Sequence, residues 1–413
     1  MKIYHLADLH FGKSIYGLSM LDDQKYWTEQ FLKLCREQKP DAILIAGDVY
    51  DRSSPSGEAV ALLDHLLSEI AEMNIPALMI AGNHDSGQKL AFASSILNRQ
   101  NIHIAGVAKR EIEHVVFENP DGYGEVTVWL LPYTYPEQVS LLLEDEEIRS
   151  YDDAVRKLIN SQSVDFTKRN IIVAHQNVTA NGKEAERGGS ESMVGGVGQI
   201  DYSVFDGFEY AALGHIHSAY PIGRNEVRYA GTPLCYHFAE TRQQSKGPVE
   251  IILNEKGSKP EIRTIPIEPL HKMRCLMGTK DEIYSQLEND TGRGEYFGIT
   301  VSDQRITPEI NGYIKGLLAA RESLVLELLS SYSAFANRAA AADRQTVENR
   351  ALEDLFSDLY TEQSSGTPPS KDEYEVMQYV GEMVRNQDAH QPYNPACIDQ
   401  ILSFTARIKG ETE

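Results

Sequence analysis

The sequence predicts an α/β protein with a largely parallel sheet, a second sheet packed on it, a compact βαβαβ unit and a helical tail. Three observations lead there. Up to about residue 81, short apolar runs alternate with helix-length amphipathic stretches, the pattern of strands joined by crossover helices. After Ile102 the runs shorten and turn residues separate them. Finally, each of five apolar runs ends on a polar segment rich in Asp, Asn, His or Gly, as expected where open α/β sheets expose the carboxyl ends of their strands.

Taken in order, Lys2 to Ala7 reads as a buried strand that ends at Asp8. Trp27 to Arg36 sets Trp27, Phe31, Leu34 and Cys35 at helical spacing. Asp41 to Ala46 is a second buried strand, ending at Gly47-Asp48. From Ser56 to Met73 a helix carries the apolar stripe Ala59, Leu62, Leu63, Leu66, Leu67 and Ile70. Ala77 to Ala81 is a third strand, ending at Gly82-Asn83-His84-Asp85. Ile102 to Val107, Glu113 to Phe117 and Val126 to Pro132 read as short strands of the second sheet, with Asn119-Pro120-Asp121-Gly122 as a turn between the last two. Asp152 to Ser161 is a helix, and Asn170 to Ala174 a strand ending at His175. Gly182 to Gly198, rich in Gly and Ser, reads as a mobile loop. Tyr210 to Leu213 is a strand ending at Gly214. Arg228-Tyr229-Ala230, Val249 to Leu253 and Glu261 to Ile267 complete the β material.

That first domain spans residues 1–269. Residues 270–332 follow as strand 271–277, helix 280–288, strand 296–301, helix 308–319 and strand 324–329, a size suited to a small domain. Residues 333–413 form an Ala-rich, acidic tail; from 331 to the end there are 7 Lys and Arg against 14 Asp and Glu. Helices are expected at Thr346–Thr361 and Lys371–Val384, separated by Ser364-Ser365-Gly366-Thr367-Pro368-Pro369.

At 413 residues the chain exceeds one ordinary core. Its apolar runs fall short of the roughly 20 residues of a membrane span, and Met1-Lys2 leads straight into structure rather than into a signal peptide. The four cysteines lack zinc or redox spacing. A cytoplasmic protein without a membrane partner is therefore expected. A net charge of −22 argues against a simple nucleic-acid coat, although a metal site supplies its own local positive charge. Glu144-Asp145-Glu146-Glu147 is expected on a solvated helix face.

The five polar segments are Asp8-Leu9-His10, Gly47-Asp48-Val49-Tyr50-Asp51, Gly82-Asn83-His84-Asp85, His175 and Gly214-His215-Ile216-His217. Cleaving a phosphodiester requires a hydroxide nucleophile, neutralised phosphate oxygens and a stabilised leaving group. Two divalent cations about 3.5–4 Å apart do all three. Such a pair needs a shared ligand, which a carboxylate with two oxygens provides, while imidazoles and an amide fill the other positions. Asp8 with His10, and His215 with His217, are spaced i and i+2, so in extended backbone both members of each pair point the same way. Glycines before Asp48, Asn83 and His215 permit close backbone approach at the strand ends. The set points to a two-metal phosphoester hydrolase. His5, His65, His103, His114, His237, His271 and His390 lack such partners and read as structural or surface residues; His237, after Gly231-Thr232-Pro233-Leu234, lies nearest the site rim.

The segments resemble the calcineurin-like metallophosphoesterase superfamily. Met1 to His10, Gly47 to Pro55, Gly82 to Asp85 and Ala212 to His217, with Ser190-Glu191 and Gly195-Gly196, are similar to the SbcD family of DNA-repair nucleases. The resemblance implies a two-sheet sandwich flanked by helices, with a capping domain. It implies one metal on Asp8, His10, Asp48 and His217 and another on Asp48, Asn83, His175 and His215, with Asp48 bridging and His84 as a catalytic residue that is not a ligand. Asp51 stands where archaeal and eukaryotic relatives carry a histidine and bacterial ones tend to have Asp, so it is placed beside the ligands rather than among them. Asp85 is placed there too, as a residue that orients His84 or shapes the turn. Two Mn2+ ions are the expected cofactors, which the nitrogen and oxygen ligands suit. The implied substrate is DNA: double-strand ends digested 3′ to 5′, and hairpins cut endonucleolytically. Implied too are capping by residues 270–332, docking of the tail on an SbcC-like ATPase that contributes basic surface, and a homodimer within a two-plus-two complex. The alternatives are a superfamily phosphodiesterase acting on a cyclic nucleotide or other small phosphodiester, and a noncatalytic scaffold.

Overall fold

The computed structural model describes residues 1–180, 198–242 and 246–332 and, in the tail, 356–357, 360 and 368–386. The chain falls into two compact units, Met1–Ser331 and Tyr332–Glu413. In the first, two six-stranded sheets carry the fold. One runs in the order Glu261–Thr264, Val249–Ile252, Lys2–Leu6, Ala42–Ala46, Ala77–Ile80, Ile102–Ala105; its last four strands are parallel and the first two antiparallel. The other runs Pro221–Ile222, Arg224–Tyr229, Tyr210–Gly214, Arg169–His175, Val126–Leu131, Glu113–Phe117, with four parallel strands between antiparallel edges.

The central strands are buried along nearly their whole length because both their faces are covered. Alternation sorts their side chains. Ile3, Leu44, Leu78 and Ile80 of one sheet meet Val128, Leu130, Ile171 and Val173 of the other in the layer between them. Ile43 and Ile45 turn outward onto the helices Leu21–Gln38 and Gly57–Glu72, where Trp27 stacks on Phe31 with ring centroids 5.3 Å apart. Ile172, Leu213 and Trp129 turn outward on the second sheet, onto helix Tyr151–Asn160. The architecture is thus a two-sheet sandwich flanked by helices.

Several expectations change. Ile102–Ala105 belongs to the first sheet, parallel to Ala77–Ile80, because the short helices Gly87–Leu90 and Ser94–Leu97 complete one more crossover. Val249–Ile252 and Glu261–Thr264 also return to the first sheet. The first helix begins at Leu21, with Asp22 and Asp23 in its first turn, where carboxylates favour the positive end of the helix dipole. An unanticipated helix, Pro136–Leu143, ends at Glu144 in the left-handed conformation. Glu144-Asp145-Glu146-Glu147 therefore lies in the turn beyond it and not on a helix face; Asp145 pairs with Lys157 at 2.7 Å. Residues 182–197, including Ser190-Glu191 and Gly195-Gly196, lie outside the described residues, as does helix Thr346–Thr361 apart from 356–357 and 360.

From Met273 to Ser330 the chain forms three parallel strands, Met273–Gly278, Tyr296–Val301 and Leu324–Ser330, with helices Lys280–Asn289 and Pro308–Ala319 between them. Leu276, Ile283, Phe297, Ile299 and Ile314 give this unit its own core. The Thr279–Glu282 capping box starts its first helix. In the second compact unit, helix Lys371–Asn386 starts at Ser370, whose hydroxyl accepts from the Glu373 N–H while its own N–H donates to the Glu373 carboxylate at 2.8 Å. Among the described residues no helix is long and apolar enough to cross a membrane.

The turn at Asp121 has a structural duty. Arg169 is 1% exposed, and its guanidinium donates both Nη1 (2.7 Å) and Nη2 (2.8 Å) to the Asp121 carboxylate. Asp121→Ala leaves that buried charge unpaired and should destabilise the domain by about 3–5 kcal/mol in urea unfolding. The guanidinium holds the Asp121 carboxyl well below the usual carboxylate range, against a smaller opposing effect of burial. The stabilisation is accordingly full above the unfolded value of about 4 and fades as pH falls through the lower folded value. The difference between wild type and variant should shrink in unfolding curves recorded at progressively more acid pH.

Candidate metal centre

The five polar segments meet at one rim. Asp8 and His10 follow Lys2–Leu6, Asp48 follows Ala42–Ala46, Asn83 and His84 follow Ala77–Ile80, His175 ends Arg169–His175, and His215 and His217 follow Tyr210–Gly214. Asp8, His10 and Asp48 adopt left-handed backbone at φ 51°, 46° and 48°, a conformation that costs non-glycine residues free energy. Cross-strand hydrogen bonds hold them there: Asp8 N–H to the Gly47 carbonyl at 3.0 Å, and His10 N–H to that of Asp48 at 2.9 Å. Close approach is enforced by two glycines. A Cβ on Gly82 would lie 2.1 Å from Asp48 Oδ1, and one on Gly214 would lie 1.9 Å from the Ala46 carbonyl oxygen.

Asp8, His10, Asp48, His175 and His217 are all at most 4% exposed. Among the described residues, three sets of potential ligand atoms cluster within 4.8 Å: Asp8, His10 and His217; Asp8, Asp48 and His175; and His10, Asp51 and His84. The Asn83 Oδ1 adds to the second side, 3.1 Å from His175 Nε2 and 2.9 Å from His215 Nδ1. Asp48 Oδ2 lies between the groups, 3.4 Å from His175 Nε2, 3.8 Å from His10 Nε2 and 4.0 Å from His84 Nε2.

These residues fit a bound cation. The His175 Nδ1 faces the Ala46 carbonyl at 2.7 Å and so carries the proton, which directs the Nε2 lone pair at the oxygens of Asn83 and Asp48. His10 and His217 bring their Nε2 atoms to 3.2 Å of each other. Imidazole nitrogens, carboxylates and an amide oxygen gathered this closely in a buried space are the arrangement a cation resolves. Burial opposes protonation of His175, but the Asp48 and Asp8 carboxylates push its imidazole up to about 9, so a cation bound here takes the place of the Nε2 proton. Burial opposes ionisation of Asp48, but His175, His10 and His84 around it hold the carboxyl well below its usual range. Burial pushes the Asp8 carboxyl up, against the pull of His175 and His217. Burial and the neighbouring His175 bring His215 down to about 3, so its ring is neutral and available as a ligand.

The remaining site residues take distinct positions. The His84 N–H donates to Asp48 Oδ1 at 2.8 Å, and its Nδ1 faces the Asp51 carbonyl at 3.0 Å. Asp51 Oδ1 pairs with Lys13 at 2.7 Å and lies 3.6 Å from His10 Nδ1. Asp85 accepts from the backbone N–H groups of Val49, Tyr50 and Gly82 at 2.9–3.1 Å. It ties two site turns together and does not hold the His84 ring, for which the structure supplies the Asp51 carbonyl instead. His5, facing the Tyr210 hydroxyl at 3.0 Å, is structural as expected.

The sequence reading missed an outer layer. Glu240, 1% exposed, lies 3.5 Å from His217 Nδ1 and accepts from Lys246 at 2.7 Å and from the Thr232 hydroxyl at 3.1 Å. Lys246 also donates to the His217 carbonyl at 3.0 Å. Gln24 and Tyr236 reach the backbone of the Asp8–His10 turn. No spacing rule links these residues to the strand ends, so only the fold brings them in.

The model of the calcineurin-like phosphoesterase family matches residues 1–219, just over half of the chain. The SbcD subunit of the SbcCD nuclease of Staphylococcus epidermidis is 31% identical over 300 residues, 72% of this chain and 78% of the relative. Its counterpart in Staphylococcus saprophyticus is 31% identical over 293 residues, 70% of this chain and 75% of the relative. With the strand-end donors in place, the chain belongs to the calcineurin-like phosphoesterases, in the SbcD family of nuclease subunits, and is a metal-dependent phosphodiesterase.

Proposed function

We propose that this chain is the nuclease component of an SbcCD-type DNA-repair complex and hydrolyses DNA phosphodiesters at a centre of two divalent cations, manganese foremost. The observation that carries the reading is the convergence of nitrogen and oxygen donors from five strand ends on one buried rim. In this reading Asp8, His10, Asp48 and His217 hold one ion, Asp48, Asn83, His175 and His215 hold the other, and Asp48 is shared. When bound, such ions offset the charge of phosphate oxygens and activate water. His84 belongs to neither set. With Nδ1–H donating to the Asp51 carbonyl, its Nε2 is the atom that holds or moves a proton at the leaving oxygen. Asp51 and Lys13 steady His10 and the turn that carries His84.

The names of the Staphylococcus relatives support the substrate and the assembly. We read the chain as digesting double-strand ends 3′ to 5′ and cutting hairpins. Residues 270–332 guide DNA over the centre, the tail 333–413 docks on an SbcC-like ATPase, and two copies join in a two-plus-two complex. The deciding experiment supplies manganese, end-labelled hairpin and linear duplex DNA, with and without the ATPase. Shortened duplex and nicked hairpin are expected. Hydrolysis of bis-p-nitrophenyl phosphate with neither DNA cut, even with the ATPase present, would show a small-phosphodiester enzyme instead.

Two substitutions test the residue roles. His84→Gln should keep both manganese equivalents in elemental analysis while kcat falls about 10²–10⁴-fold; a matching loss of metal would make His84 a ligand. Glu240→Gln removes the carboxylate beside His217 Nδ1, and half-maximal activity should then need about 10–100-fold more manganese. An unchanged manganese requirement in a folded variant would remove Glu240 from the site.

A further inference from the structure

The first turn of helix Leu21–Gln38 carries two adjacent polar residues, Asp23 and Gln24, each 1% exposed. They face different parts of the molecule. The Gln24 amide donates to the His10 carbonyl at 2.8 Å and to the Tyr236 hydroxyl at 2.9 Å, and its oxygen accepts from the Gly12 N–H at 2.9 Å. Tyr236 passes its own proton to the Leu9 carbonyl at 2.7 Å. One side chain and its relay thus hold the backbone from Leu9 to Gly12, the turn that keeps Asp8 and His10 in left-handed conformation.

Asp23 faces the βαβαβ unit. Its carboxylate accepts from the His271 N–H at 3.2 Å, from His271 Nδ1 at 3.0 Å and from the Tyr296 hydroxyl at 3.1 Å, while the His271 and Tyr296 rings stack with centroids 4.7 Å apart. Tyr296 opens the central strand of that unit and His271 sits at its entrance. Asp23 and Gln24 are consecutive on a helix that packs on the first sheet, so the contact to the βαβαβ unit and the contact to the His10 turn share one helix turn.

We infer that Gln24 is a positioning residue that acts through the His10 turn on metal binding, and that Asp23 couples it to the βαβαβ unit. The helix turn is then the rigid link through which that unit's placement reaches the metal centre. The inference rests on the reading of Asp8 and His10 as metal ligands.

The test is manganese binding to the full chain by isothermal titration calorimetry, with unfolding curves recorded alongside. Gln24→Met, close in shape and without the amide, should weaken manganese binding about 10-fold or more. Tyr236→Phe removes a single hydroxyl and should show the same effect in smaller degree, which keeps the test available if Gln24→Met fails to fold. Asp23→Asn should also weaken binding, although it lies a residue further out. The double variant Asp23→Asn/Gln24→Met should lose at least about threefold less than the product of the single losses. Wild-type affinity in folded Gln24→Met and Tyr236→Phe would overturn the positioning role, and a fully multiplicative double variant would overturn the coupling. A wild-type chain that binds no manganese would instead sink the metal-centre reading itself.

Discussion

The structure depends on how closely its strand ends approach one another, both within the first sheet and between the two sheets. Side chains from five strands reach one point only if the backbones beneath them nearly touch. At Gly82 and Gly214 there is no room for a Cβ against Asp48 and the Ala46 carbonyl. Small residues at these ends let the backbones close in, while Ile3, Leu44, Val128 and Val173 pack between the sheets further back.

Concentrating polar groups at that rim is unfavourable for folding. Two buried carboxylates, Asp8 and Asp48, stand among imidazoles, and four residues, Asp8, His10, Asp48 and His215, have positive φ. Isolated, each feature destabilises the fold. Here the carboxylate oxygens are occupied by main-chain donors: the His215 N–H reaches Asp8 Oδ1 at 3.0 Å, and that of His84 reaches Asp48 Oδ1 at 2.8 Å. Asp85 does the same for Val49, Tyr50 and Gly82. The turns are thereby fixed by their own acidic residues, and the remaining lone pairs face inward. Charge that destabilises the apo fold is what a cation would neutralise.

Around this lies a layer whose atoms aim the inner ones. Ala46 fixes the His175 tautomer, Glu240 stands behind His217, and Gln24 and Tyr236 hold the His10 turn. Much of it comes from segments that the parallel sheet does not contain, including the 3-10 turn at Phe238–Arg242 and the first turn of helix Leu21–Gln38. The layer joins the strand ends to the rest of the molecule through the helix and through the βαβαβ unit.

By itself, the sequence determined the strand ends and the chemistry they carry. An apolar run that stops at Asp8, Asp48, Asn83, His175 or His215 is legible because strand burial and strand termination are local properties. The βαβαβ order after His271 is legible for the same reason. Sheet membership was not: Ile102–Ala105 reads as a strand of the second sheet, and its hydrogen bonds to Ala77–Ile80 place it in the first. Nor could local pattern show that Asp85 binds backbone rather than the His84 ring, or that Glu240 lies beside His217. Those pairings join residues far apart in the chain, and only the tertiary structure brings them within reach.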